Sequence, residues 1–191
     1  MIRKMMACAT LALCALLGGC LVSLHPLSSP TDAVMDAQLL GVWYAHDQGE
    51  DLIYLHVGRG KKGMIEAMLV EYAEDGRFKV SRYSAFPTQF EGMTLLNIIS
   101  PEDHKDTKGY DIMQYHVEGN HSLSLALMSA DLVKQDIHDG KLKGKVKPGA
   151  FGDTTITASG KELLAYIKSA DQSKLFPTSL RFERAPDPGA R

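Results

Sequence analysis

The sequence predicts a mainly β, antiparallel fold of about eight or nine strands, a closed barrel or a sandwich, with one C-terminal helix before the last strand. Three observations carry this. Short apolar and β-branched runs recur at regular spacing between Gly41 and Glu183, each bounded by glycine, proline or polar clusters. Asp75-Gly76 and Gly119-Asn120 each lie between two such runs, and dipeptides of this kind favour tight hairpin turns. Ser159-Gly160-Lys161-Glu162 is a capping box followed by Leu163, Leu164 and Ile167 at helical spacing, which predicts a helix over Gly160–Ala170. Many short strands joined by short turns close into barrels or stack as sandwiches.

Ahead of the strands, Arg3 and Lys4 make a basic start, Met5–Leu17 carries no charge, and Leu17-Gly18-Gly19-Cys20 follows. This is the order of a secretory signal and its cleavage site. The apolar run is short for a membrane span, which needs about 20 residues. Leu-Gly-Gly-Cys resembles the lipobox of bacterial lipoproteins. The resemblance implies that residues 1–19 are removed and that Cys20 becomes the lipid-attachment residue at the start of the mature chain. Each buried methylene contributes about 0.8 kcal/mol, so several acyl chains anchor a domain without a spanning helix. In that family aspartate after the cysteine marks retention in the inner membrane. Leu21 stands there instead, so the expected address is the bacterial outer membrane, facing the periplasm.

Composition bounds the rest. The formal net charge is −2, and no clustered basic surface marks a nucleic-acid partner. Of the three cysteines, Cys8 and Cys14 lie in the signal and Cys20 is the acylated one. The mature body therefore offers no disulfide, no thiolate metal site and no cysteine nucleophile. After the signal, what remains is one domain's length.

Taken in order, residues 20–31 hold Cys20 and a tether, because Pro26, Pro30 and several serines favour extended, solvated backbone. Residues 32–185 form the body. Asp32–Leu40 is a short helix or turn, and Gly41-Val42-Trp43-Tyr44 begins the first strand. Leu52–Val57 is the second strand, closed by Gly58 and Gly60. Met64–Ala73 and Arg77–Phe86 make a hairpin around Asp75-Gly76, Pro87 breaks the chain, and Met93–Ser100 follows as another strand. Residues 101–109 are a polar loop. Tyr110–Glu118 and His121–Ser129 form a second hairpin; a two-residue turn pairs Glu118 with His121 and puts Ile112, Leu123, Leu125 and Leu127 on one face. A slip of one residue would exchange the faces. Asp131–Asp139 is a short helix ended by Gly140. Lys141, Lys143, Lys145 and Lys147 alternate along a strand, and Thr154–Thr157 is a brief extended piece. Ser179–Glu183 is the final strand, and residues 186–191 are a frayed tail.

Gly41-Val42-Trp43 on the first strand, a helix after the barrel strands, and Arg181 or Arg184 near the C-terminus resemble the lipocalin-like, or calycin, β-barrels. The likeness covers the layout of most of the mature chain and only a few residues of motif. It implies that the arginine packs across Trp43; Trp43 itself is read as structural, closing one barrel end, rather than as a ligand-stacking residue. The second lipocalin signature, Thr-Asp-Tyr, has no counterpart; Gly109-Tyr110-Asp111 runs in a different order.

Candidate chemistry is sparse. His116, Glu118 and His121 could gather near one hairpin tip as zinc ligands, although a solvated tip explains them as well, and no metal is assigned. The four lysines could meet anionic headgroups or guard an exposed edge strand; the second reading is favoured. Met64, Met68, Met93, Met113 and Met128 could line an adaptable pocket or simply fill a core. No catalytic motif for a nucleophile elbow, zinc protease, phosphate loop or dinucleotide site is present, so no enzyme activity and no cofactor are expected. The expected function is an envelope lipoprotein whose non-enzymatic barrel binds a hydrophobic or amphipathic small molecule. The alternative is a protein–protein interaction or structural module with a side-chain-filled barrel and an envelope protein as partner. A ligand-binding barrel predicts a cavity of roughly 300 Å³ or more; a docking module predicts a packed interior and an exposed apolar patch.

Overall fold

A computed structural model describes residues 21–46, 52–72, 77–99, 109–147 and 153–186. The signal, Cys20 and the terminal tail lie outside these residues. Among the described residues there are eleven strands: β1 (Leu21–Ser23), β2 (Gly41–His46), β3 (Leu52–Arg59), β4 (Ile65–Tyr72), β5 (Phe78–Phe90), β6 (Met93–Ile99), β7 (Tyr110–Glu118), β8 (Ser122–Leu127), β9 (Gly144–Val146), β10 (Thr154–Ile156) and β11 (Ser179–Arg184). Helices α1 (Ala130–His138), α2 (Gly160–Ser169) and α3 (Gln172–Leu175) lie between β8 and β11.

Eight strands close on themselves. From β2 to β8 each pairs antiparallel with the next; β11 then pairs with both β8 and β2 and seals the barrel. Alternation sends one set of side chains inward: Trp43, Ile53, Leu55, Leu69, Leu96, Tyr115, Leu123 and Phe182 belong to one buried cluster. A second core lies outside the barrel. Leu95, Ile112 and Ala126 face outward there and pack against Val133 of α1, Leu163 and Ile167 of α2, and Ile156 of β10. Strand β10 pairs parallel with β1 and antiparallel with β9, and β1 meets β7 at Ser23 and Tyr110. Helix α2 begins at the predicted capping box, and α1 begins at a serine cap. Ser129 accepts from the Leu132 amide, and Ser159 and Glu162 form the reciprocal capping box.

The structure departs from the sequence reading in four places. Residues 21–31 are not a solvated tether. Leu21–Ser23 is a strand, Leu27 is buried, and its amide donates to Asn97 Oδ1 at 2.7 Å. Asn97, itself fully buried, donates in turn to Thr88 Oγ1 at 2.9 Å, whose hydroxyl meets Ser28 at 2.6 Å. The segment thus straps the outside of the barrel. Strand β5 runs straight through Pro87 to Phe90. Beyond Ala85 it has no β4 partner on that side, so the missing proline N–H costs no ladder bond there. The second hairpin has a three-residue loop, Gly119 to His121, with Gly119 at φ +57°. Glu118 therefore pairs with Ser122 and Met113 with Leu127, one residue away from the two-residue register. Met113 faces inward in place of Ile112. Finally, Lys141–Lys147 is not one alternating strand, because only Gly144–Val146 is extended; the Asp32–Leu40 stretch makes turns as expected, among them the 3-10 turn Ala37–Leu39.

Candidate functional site

The two barrel ends differ. At one end the Ala37–Leu39 turn caps the opening and puts Leu39, buried, onto the interior. Trp43 is fully buried beneath it and donates from Nε1 to the Leu39 carbonyl at 2.8 Å. Tyr115, inside the barrel, donates from its hydroxyl to Asp36 at 3.2 Å; burial first, then the Asp36 charge, pushes the phenol pKa upward. Arg184 lies across the whole arrangement. Its guanidinium carbon is 4.0 Å from the Trp43 ring centroid, and it donates to the carbonyls of Gln38 (2.6 Å), Leu40 (2.7 Å) and Asn120 (2.8 Å). Gly41 sits at φ +130°, and a β-carbon there would lie 2.6 Å from Arg184 Nη1. The glycine of Gly41-Val42-Trp43 thus leaves room for the arginine that covers the tryptophan. Arg181 instead points outward to Glu118, with both side chains exposed.

Behind this plug lies a cavity of about 130 Å³. It extends from Leu39 past Leu55, Ala67, Leu123 and Phe182 toward the other end, where Tyr83 and Asp111 bring the polar atoms of an otherwise apolar lining. Burial pushes the Tyr83 pKa upward; a hydrogen bond to Ser81 opposes this, and the carboxylates of Glu71 and Asp111 add to it. Glu71, largely buried, faces Lys79 at 3.4 Å just beyond Tyr83. The space is close to the ~150 Å³ that admits a benzene ring. It is smaller than the several hundred cubic ångströms expected for an open ligand pocket. The interior is therefore neither a wide cup nor solidly filled.

The other candidates resolve into structural roles. Glu118 engages Arg181 and His121 lies in the turn, and among the described residues no group of three or more His, Cys, Asp or Glu could hold a metal ion. Of the five methionines singled out, Met113 lines the cavity, while Met93 and Met128 pack in the outer core. Lys141 pairs with Asp136 at 2.7 Å, Lys143 with Glu162 at 2.6 Å and Lys147 with Asp153 at 2.7 Å. Of the four lysines only Lys145 lies within β9, the last strand in the sheet order; Lys141, Lys143 and Lys147 flank it. Sequence reasoning missed Tyr83 and Asp111; each is an inward position of a strand, but the spacing that sets inward from outward is visible only once the register is known.

Comparison with protein-family models, with curated proteins and with solved structures finds no match.

Proposed function

We propose that this chain is an envelope lipoprotein, acylated at Cys20 and held on the periplasmic face of the outer membrane, whose lipocalin-like (calycin) barrel binds a slender hydrophobic or amphipathic molecule. The carrying observation is the cavity: an apolar lining closed at one end by the Leu39 plug and bearing polar groups at the opposite end. Burying apolar ligand surface gives about 25 cal/mol per Å² before the costs of association. A volume of about 130 Å³ takes part of a single acyl chain rather than a bulky ring system, with the ligand's polar end at Tyr83 and Asp111. The calycin reading is supported by Arg184 across Trp43, by the 3-10 plug and by α2 before the last strand. The anchoring reading rests on the Leu17–Cys20 pattern. No reaction is assigned to the site.

The test is a titration of the protein with cis-parinaric acid, read by its fluorescence, alongside native mass spectrometry for a co-purifying lipid. Ala67 lines the cavity, and Ala67→Leu fills part of it. Binding weakened at least tenfold by this change, with folding stability altered by less than about 1.5 kcal/mol, is the expected outcome. Wild-type protein that takes up no fatty acid, or a variant that binds as well as wild type, would remove the cavity from consideration.

A further inference from the structure

We infer that the cavity chooses its ligand by the head: an alkyl chain ending in a hydrogen-bond donor without negative charge, an ammonium or a hydroxyl, is preferred over a carboxylate. The inference rests on the binding reading above and adds a class of ligand to it. Side chains that pair across neighbouring strands share a face, so the register places each polar group. Ala67 of β4 lines the cavity and pairs with Tyr83 of β5. Ile98 of β6 lines it too and pairs with Asp111 of β7. Glu71 follows the lining residue Leu69 by two positions on β4 and pairs with the buried Ile53 of β3. It therefore faces inward, at the end away from the plug.

The chemistry of that end is one-sided. Among the described residues that line the cavity, Asp111 is the one that carries a charge. Glu71 Oε2 is buried and accepts no hydrogen bond among the described residues. Lys79 Nζ lies 3.4 Å from it without making one, on a side chain that is half exposed. A buried acceptor left unpaired costs its full desolvation penalty, so a donor carried in by a ligand gains what the fold leaves open. Burial raises the Tyr83 pKa, Ser81 opposes it, and the carboxylates of Glu71 and Asp111 add to the rise, which puts both within electrostatic reach of the phenol. A carboxylate head would bring further acceptors and another negative charge to the same place, where water is largely excluded. An ammonium offers three donors and the opposite charge; a hydroxyl offers one donor and no charge. An anionic fatty acid still enters by its chain, with its head the least favoured of the three.

The experiment titrates the protein by calorimetry at pH 7 with octylamine, 1-octanol and sodium octanoate, which share one chain and differ only in the head. Octylamine and 1-octanol should each bind tighter than octanoate by about fivefold or more. Glu71→Gln with Asp111→Asn keeps the size of both side chains and removes both charges, and the margin of octylamine over octanoate should then fall below about twofold. Glu66→Gln, on the outer face of β4 where Ser84 donates to it, also removes a negative charge and should leave the margin as in wild type. Trp43 emission reports whether each variant is folded; should the double variant not fold, the wild-type ranking decides. A smaller margin for either head, a margin that survives in the folded double variant, or one that Glu66→Gln lowers equally would overturn the inference and leave the cavity as a binding site. If none of the three compounds binds, the binding reading falls and this one with it.

Discussion

Replacing Arg184 by methionine keeps a long apolar stem over Trp43 and removes the charge and every donor. The loss can be worked from the geometry. The bond to the Leu40 carbonyl is partly buried, and those to Gln38 and Asn120 are exposed. A charged donor contributes about 1.5–3 kcal/mol where solvent is excluded and much less where it is not. The cation over a buried indole adds about 1 kcal/mol or somewhat more. Together these give about 4 kcal/mol, or roughly 10 °C in Tm for a domain of this size. Trp43 is the single tryptophan of the chain, so its emission during urea unfolding reports both stability and the plug. The native emission should also shift to longer wavelength as water reaches the indole. Arg184→Lys keeps the charge without the planar fork and should recover less than half of the loss. If Arg184→Met costs under about 1 kcal/mol, the arginine does not hold the plug and the account of this end is wrong.

Two further substitutions test the packing. Gly41→Ala introduces a β-carbon at φ +130° and 2.6 Å from Arg184 Nη1; it should cost about 1–3 kcal/mol. Combined with Arg184→Met the two losses should sum to more than the double variant shows, because one removes the other's clash. Asp136, buried outside the barrel, accepts from Lys141 and from the Tyr166 hydroxyl, each at 2.7 Å. The Lys141 bond, aided by Tyr166 and opposed by burial, holds its carboxyl below the usual range. A depressed folded-state pKa stabilises above the unfolded value of about 3.9, and that contribution disappears as pH falls through the lower folded value. Urea midpoints between pH 6 and pH 2 should therefore fall less steeply for Asp136→Asn than for wild type. Glu162, held at about 2 by Lys143 and by Ser159, titrates in the same direction in both proteins and cancels in the comparison. Equal slopes would show that Asp136 is not held ionised by these partners.

Local chemistry made much of this fold legible. The β4–β5 hairpin stands where Asp75-Gly76 predicts one, with Tyr72 pairing with Phe78, while the turn itself lies outside the described residues. The Ser159 capping box and Gly140, at φ +74°, mark helix ends through bonds and angles confined to neighbouring residues. Gly41-Val42-Trp43 with a late arginine also stands as expected, and Arg184 rather than Arg181 covers the indole. What stayed hidden depends on distant partners. Leu21–Ser23 opens a segment whose prolines and serines read as a linker, and it is a strand through its pairing with Thr154–Ile156. The Gly119–His121 loop differs from a two-residue turn by one amino acid, and that residue reverses the faces of β7 against β8. The cavity was the least legible feature, since its size is a residue of how seventeen lining side chains fail to meet.

The seam of the barrel joins its first strand to its last. Trp43 pairs with Arg184, and the Ala185 amide donates to the Val42 carbonyl at 2.8 Å. Arg184 and Leu40 are 144 positions apart in sequence. Closing so long a loop precedes any reward from the contacts it makes, which slows folding of non-local β topologies. During synthesis, β2 must therefore wait with one flank bare until nearly the whole polypeptide has emerged. A chain truncated before Ser179 would leave β2 and β8 as two open edges, each a template for pairing with another molecule.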